Sequence, residues 1–177
     1  NLKAVVTAKM HEYKAGKTEV ELVHEALEHP IASPRLRDLA KGKQKVVLVT
    51  SDHTRAVPSK ITLPILLDEI RQGNPDADIT ILIASVLHRP TTEEEQRRMF
   101  GDAIVDHEKI AINNAFDPDQ FVHMGVLPSG ADFNVNKLAA ECDLLVTEGF
   151  IEPHFFAGFS GGRKSILPGI CSQETVN

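Results

Sequence analysis

Short apolar runs rich in β-branched residues recur along the chain, and stretches with a helical repeat separate them. Each run has four to six residues, too few and too uniformly apolar for an amphipathic helix, so each predicts a strand buried on both faces. The predicted strands span 4–7, 46–50, 79–84, 109–112 and 144–147. The intervening segments predict helices over 19–28, 59–71, 92–100 and 136–142.

This alternation predicts an α/β fold, with a mostly parallel twisted sheet and helices on both faces, as in Rossmann-like proteins. The segments 121–126 and 132–136 flank a turn-forming stretch, Leu127-Pro128-Ser129-Gly130, and predict a small appended hairpin. A chain of 177 residues has the length of one ordinary domain. We therefore expect a single α/β domain over residues 1–177.

The composition narrows the class of protein. With 42% hydrophobic and 25% charged residues, the chain is typical of a soluble globular protein, and its net charge of −6 opposes non-specific binding to nucleic acid or to an anionic membrane. Two cysteines, and no apolar run long enough to span a bilayer, favour a reduced cytoplasmic protein. The chain begins with Asn1, and residues 169–177 read like the start of a helix, so we expect a piece of a longer protein.

Dense polar loops follow three of the predicted strands. They span residues 51–55, 85–92 and 148–164. In an open parallel sheet, loops at the carboxyl ends of the strands converge, and ligands bind there. We therefore expect the Asp, Arg and His side chains of these loops to share one site.

Three motifs in these loops resemble a known family. They are SDHTR at residues 51–55, LHRPTT at 87–92 and EPHFFAGFSGGRK at 152–164. Together they make the chain similar to the amino-terminal domain of nickel-dependent lactate racemases. The resemblance implies an isomerase, a racemase or epimerase of 2-hydroxy acids. It also implies a nickel pincer cofactor, a pyridinium-3,5-bisthiocarboxylic-type mononucleotide with two sulfur-containing arms.

The resemblance also implies roles for particular residues. Lys164 would tether the cofactor covalently, His88 and His154 would form the acid/base pair, and Asp52 with Arg55 would belong to the substrate and cofactor pocket. Cofactor-biosynthesis and nickel-insertion proteins are then the expected partners, with a small 2-hydroxy acid as substrate. A second domain and a nickel-ligating histidine would lie beyond residue 177, so we expect the isolated chain to be inactive and free of nickel.

The chemistry of racemising a 2-hydroxy acid independently requires a hydride acceptor and two acid/base groups. Beside a carboxylate, the Cα–H bond is too weakly acidic for histidine, whose pKa is about 6.5. Removal of Cα hydrogen as hydride is easier but needs a cofactor, since no side chain accepts hydride. Two histidines on separate loops supply one base for each enantiomer, and an arginine suits a bidentate grip on the carboxylate.

The glycine-rich stretch before Lys164 offers a further binding element. Backbone amides from Ser160 to Gly162, including Gly161, with Arg163 nearby, are suited to hold the mononucleotide phosphate. The sequence disfavours a nucleoside-triphosphate loop because Arg163 stands where the Walker pattern requires its second glycine. The metal ligands stay unassigned at this point.

The same residues could also have purely structural roles. His88 would then cap a turn, His154 would be a partly buried hydrogen-bonded ring, and Asp52 with Arg55 would form an Asx turn with a surface ion pair. His53 is unassigned, either orienting a neighbour or facing solvent. The alternative functions are an epimerase of sugar acids, a racemase of bulkier 2-hydroxy acids, or a non-catalytic phosphate- or nucleotide-binding domain.

Overall fold

Four parallel strands form the central sheet, in the order β3-β2-β1-β6. The computed structural model describes residues 4–5, 7, 9, 12–155 and 157–177. The strands are β1 (Lys45–Ser51), β2 (Asp78–Ala84), β3 (Lys109–Ile112), β4 (Phe121–Val126), β5 (Asp132–Asn136), β6 (Leu144–Thr147), β7 (Pro153–His154) and β8 (Gly158–Phe159). The α-helices are α1 (Glu19–Glu28), α2 (Leu36–Leu39), α3 (Ser59–Gly73), α4 (Glu93–Phe100), α5 (Asp102–His107), α6 (Lys137–Ala140) and α7 (Gln173–Val176). Short 3-10 helices span Pro118–Gln120 and Gly162–Ser165.

Helices α2 to α5 cover one face of the sheet. Side chains that alternate along β1 and β2 point to this face, among them Leu48 and Ile81, and both are fully buried. The matching stripe on α3 has the helical spacing of Leu63, Leu67 and Ile70. The apolar runs are thus buried by helices on this side, as their composition predicted.

The β4–β5 hairpin, α6 and the segment after residue 166 cover the opposite face. Val47 and Val49 of β1 pack here with Val135 of the hairpin, Ala139 of α6 and Ile170. The predicted hairpin is confirmed with its predicted bounds, and it forms its own antiparallel pair instead of extending the central sheet. The predicted α/β fold with a parallel sheet is confirmed.

The predicted strand 4–7 is wrong at its described residues. Ala4, Val5 and Thr7 lie outside every strand, whereas Val6 lies outside the described residues. Val5 is 72% exposed, so the run lacks the burial that stabilises a short strand. An apolar run forms a strand only where a neighbouring strand is available for pairing, and composition does not reveal that neighbour.

Helix boundaries differ most in the short elements. The helix predicted over 136–142 forms only at Lys137–Ala140, with Asn136 as its N-cap, because Glu141 already leaves helical geometry ahead of β6. Helix α3 continues two residues beyond its predicted end at Arg71. The ribbon of β7 and β8 was not predicted, and it lies in the loop that carries His154.

Candidate active site

The loops after β1, β2 and β6 enclose one cavity of about 430 Å³ at the carboxyl edge of the sheet. Seven of the nine predicted site residues line it: Asp52, Arg55, His88, His154, Ser160, Gly161 and Lys164. The remaining two, Gly162 and Arg163, are exposed and lie outside the lining. The structure thus brings both candidate acid/base rings and the candidate tethering lysine to the same cavity.

The first of these rings, His88, is oriented by Asp52. Its Nδ1 lies 2.6 Å from Oδ2 of Asp52, a carboxylate that is 2% exposed. The other oxygen, Oδ1, accepts from the backbone N–H of Thr54 at 3.0 Å and from its hydroxyl at 2.6 Å. Since a carboxylate only accepts, Nδ1 carries a proton, and the neutral ring keeps its lone pair on Nε2.

A tight turn presents His88 to the cavity. The backbone N–H of His88 donates to the carbonyl of Ser85 at 2.8 Å, which closes the turn directly after β2. The N–H of Val86 donates to the carbonyl of Gly169 at 3.2 Å, so the turn is also held by the segment that follows Lys164. The side chain of His88 is 40% exposed, which leaves its ring accessible from the cavity.

The second ring, His154, lies at the end of β7. The pairs Pro153–Phe159 and His154–Gly158 form the ribbon, and the ring of Phe155 stacks on that of His154 with 5.1 Å between centroids. The backbone N–H of Ala157 donates to Nδ1 of His154 at 3.3 Å. A neutral ring that accepts at Nδ1 carries its proton on Nε2, so these hydrogen bonds favour opposite tautomers of the two histidines.

Ser160 and Gly161 form a polar turn beside Lys164. The hydroxyl oxygen of Ser160 is buried and has no hydrogen-bond partner among the described residues. Gly161 has a φ of +86°, and a Cβ there would lie 3.0 Å from the carbonyl oxygen of Phe150. Only glycine fits this turn without strain, and the Ser160 hydroxyl remains available to a bound ligand.

Arg55 and His53 follow Asp52 but differ in their surroundings. Arg55 is exposed and lines the cavity, and its guanidinium donates to the hydroxyl of Thr54 at 3.3 Å. His53 lies outside the cavity lining, and its Nδ1 is 3.1 Å from the hydroxyl of Thr91. Arg55 therefore places a permanent positive charge at the cavity, whereas His53 contacts the loop before α4.

Sequence reasoning missed one buried acid next to the cavity. Glu148 follows β6, and its carboxylate accepts from the hydroxyl of Thr50 at 2.6 Å and from the hydroxyls of Ser59 and Thr62. These donors lie at the end of β1 and in the first turns of α3. A polar residue directly after an apolar strand is the signal that pointed to Asp52, and it applied equally to Glu148.

Two kinds of feature are absent from the part of the chain that the structure describes. No group of three or more His, Cys, Asp or Glu side chains among those residues is arranged to hold a metal ion. No helix within the described ranges has the length and apolarity that crossing a membrane requires.

Comparison with known proteins places these features in context. Residues 2–177 match the family model for the lactate racemase N-terminal domain. A lactate racemase of Thermoanaerobacterium thermosaccharolyticum is 51% identical over 175 residues, which are 99% of this chain and 41% of the relative. A lactate racemase of Lactiplantibacillus plantarum is 52% identical over 164 residues, 93% of this chain and 39% of the relative. The chain thus spans about two fifths of the length of these curated relatives.

Solved structures agree with the fold. The lactate racemase apoprotein of T. thermosaccharolyticum superimposes with a TM-score of 0.89 at 55% identity, over 90% of this chain and 38% of that one. A protein from Thermotoga maritima superimposes with a TM-score of 0.70 at 24% identity, over 89% of this chain and 38% of that one. The second likeness shows a shared fold alone.

Proposed function

The chain belongs to the lactate racemase N-terminal domain family, and from this premise we propose that the full-length protein interconverts the enantiomers of a 2-hydroxy acid. One observation carries the proposal: His88 and His154, from different loops, line one cavity together with Lys164. A racemase needs a proton acceptor and donor for each enantiomer, and two rings on separate loops provide them.

The cavity residues fit the cofactor that the resemblance implies. The volume of about 430 Å³ lies within the usual range for small-molecule sites. Lys164 would hold the group covalently, and the unpaired hydroxyl of Ser160 with the backbone at Gly161 would bind its polar part. When bound, a nickel pincer group supplies a hydride acceptor, which is chemistry that no side chain offers.

The Asp52–His88 pair would act on the substrate hydroxyl. When Nδ1 of His88 donates to Asp52, Nε2 has the free lone pair and would take the proton of the substrate hydroxyl. The buried carboxylate of Asp52 stabilises the imidazolium that forms, because a charge-assisted hydrogen bond strengthens when its donor becomes charged. Both oxygens of Asp52 are already occupied within the protein, so we propose it as a positioning residue for His88.

His154 would serve the opposite enantiomer. In its imidazolium form, His154 would donate the proton on Nε2 to the oxygen of the 2-oxo acid, and the ring would be left neutral. Arg55 would hold the substrate carboxylate, since guanidinium binds carboxylate in a bidentate manner. The two rings exchange roles when the reaction runs in reverse.

The remaining features of the whole protein are proposals that rest on the same family. We propose that residues 1–177 form the cofactor-tethering domain of a two-domain cytoplasmic enzyme, and that cofactor-making and nickel-insertion proteins are its partners. The isolated chain would then be inactive, because the second domain completes the site.

A direct experiment tests the activity. The full-length protein, produced together with the cofactor-making proteins, would be incubated with D- or L-lactate in D₂O. Racemisation with protium kept at Cα is expected, because hydride returns to the carbon it left. Deuterium at Cα would indicate proton abstraction and overturn the mechanism. His88→Ala and His154→Ala should lose activity, whereas His53→Ala is the matched control outside the cavity lining.

A second candidate function is a reversible phosphate- or nucleotide-binding domain. The unpaired buried hydroxyl of Ser160, close in the chain to Lys164, favours it. Mass spectrometry of the matured full-length protein separates the two. A covalent adduct at Lys164, lost in Lys164→Ala, supports the racemase; an unmodified lysine with reversible mononucleotide binding supports the alternative.

A further inference from the structure

Val86 adopts a backbone conformation that β-branched residues avoid. Its φ is +52°, and it is the second residue of the turn from Ser85 to His88. Turns with a positive φ at this place usually have glycine, asparagine or aspartate there. A β-branched side chain in the left-handed region is an outlier, because its Cβ crowds the neighbouring backbone.

The position of Val86 connects this outlier to the cavity. Val86 lines the cavity two residues before His88, together with the apolar residues Ala84 and Leu167. Its backbone N–H donates to the carbonyl of Gly169, so the turn is held by this bond as well as by the bond from His88 to Ser85. The strained residue therefore forms part of the wall beside the candidate base.

The turn itself does not require a valine at position 86. Glycine would satisfy the turn and both backbone hydrogen bonds without steric conflict. Strained residues that persist are concentrated at functional sites, where the strained group serves the site. The isopropyl group of Val86 adds apolar volume to the cavity that His88 also lines.

We propose that Val86 is a specificity-determining residue that limits the size of the substituent on Cα of the 2-hydroxy acid. The inference rests on the proposed racemase function and deepens it. It predicts that Val86 disfavours 2-hydroxy acids with branched or aromatic substituents on Cα. The polar alternative, a sugar acid, would place hydroxyl groups against this apolar wall.

The test compares two substrates on the full-length, cofactor-loaded enzyme. For wild type, Val86→Ala and Val86→Gly, kcat/KM would be measured for lactate and for 2-hydroxy-4-methylpentanoate. The ratio of the larger to the smaller substrate should rise about 10-fold or more in both variants, the range set by one or more methylene-sized gaps in an apolar pocket. Val86→Thr, which keeps the branched shape, should leave the ratio near that of wild type.

Leu87→Ala is the matched control, because Leu87 lies in the same turn but outside the cavity lining. A ratio that stays constant in both Val86→Ala and Val86→Gly overturns the inference, as does an equal rise in Leu87→Ala. If Val86→Gly fails to fold, Val86→Ala alone decides. Wild-type holoenzyme that interconverts no 2-hydroxy acid would instead refute the proposed function, so the two failures are distinguishable.

Discussion

The hydrogen bond between Asp52 and His88 leads to a sharp prediction for Asp52→Asn. The asparagine is nearly isosteric, and its carbonyl oxygen can keep the two hydrogen bonds from Thr54. Its NH₂ group then faces Nδ1 of His88, which must become an acceptor. The ring proton moves to Nε2, and the nitrogen that faces the cavity loses the lone pair needed to take a proton from substrate.

The expected loss follows from the geometry. A hydrogen bond to a charged partner contributes roughly 1.5–3 kcal/mol, which corresponds to a factor of roughly 10 to 150 in rate. Locking a catalytic histidine in the wrong tautomer has a larger effect, about 10⁴-fold in serine proteases. With an Nδ1–Oδ2 distance of 2.6 Å and an acid that is 2% exposed, we expect kcat of Asp52→Asn to fall by about 10²- to 10⁴-fold.

The assay is racemisation of each lactate enantiomer by the full-length holoenzyme. Because enantiomers have equal free energies, kcat/KM must fall by the same factor in both directions, which provides an internal check. Asp143→Asn is the matched control, since that carboxylate accepts backbone N–H groups at the start of β1, at the opposite edge of the sheet. Activity within threefold of wild type in Asp52→Asn would refute the orienting role of the acid.

Three further predictions concern stability and reactivity. Gly161→Ala should lower the free energy of unfolding by about 1–3 kcal/mol, measured by denaturant unfolding, and by more than Gly162→Ala, where a Cβ meets no atom within 4 Å. The Arg37 guanidinium holds the pKa of Glu69 below its ordinary value of 4.5. The ionised carboxylate therefore stabilises the folded state above pH 4.5, and this contribution is lost as the pH falls through the lowered pKa. Glu69→Gln should therefore destabilise the protein by about 1–3 kcal/mol at pH 7 and flatten the loss of stability under acid; an unchanged acid profile would contradict this. Burial raises the pKa of the Cys171 thiol to about 12, so iodoacetamide at pH 8 should label Cys171 only after denaturation, as followed by mass spectrometry.

The sequence predicted the four strands of the sheet well because each contains a short apolar run. Strands β3 and β6 and helix α1 have their predicted bounds, since apolar runs and a capping box are local signals. The packing of the hairpin against the sheet was not predictable, because it brings residues that are far apart in the chain, such as Val47 and Val135, into one apolar cluster. The strand expected at 4–7 failed for the same reason, since pairing requires a partner that composition does not reveal.

The sequence predicted which residues form the candidate site but not the hydrogen bonds between them. The position of polar loops directly after strands predicted that Asp52, His88 and His154 share one edge of the sheet. The hydrogen bond from His88 to Asp52 depends on the turn after β2, whose positive φ at Val86 runs against residue preference. The exposed position of Arg163 depends on the 3-10 helix that follows Gly161.

Glu148 explains how separate loops of the site are held together. Its carboxylate accepts hydroxyl hydrogen bonds from Thr50, which precedes the Asp52 loop, and from Ser59 and Thr62 in α3, while its own backbone begins the loop that leads to His154. No salt bridge to Glu148 forms among the described residues, and a buried acid without a cation is less favourable for stability than a well-packed apolar residue. Its three hydroxyl donors compensate for that penalty, and the same bonds fix the ends of β1 and β6 relative to each other. One buried carboxylate outside the cavity lining therefore helps to position two loops of the site. The first loop orients His88 through Asp52, and the second carries His154. The geometry of the site thus depends on a residue that does not line the cavity.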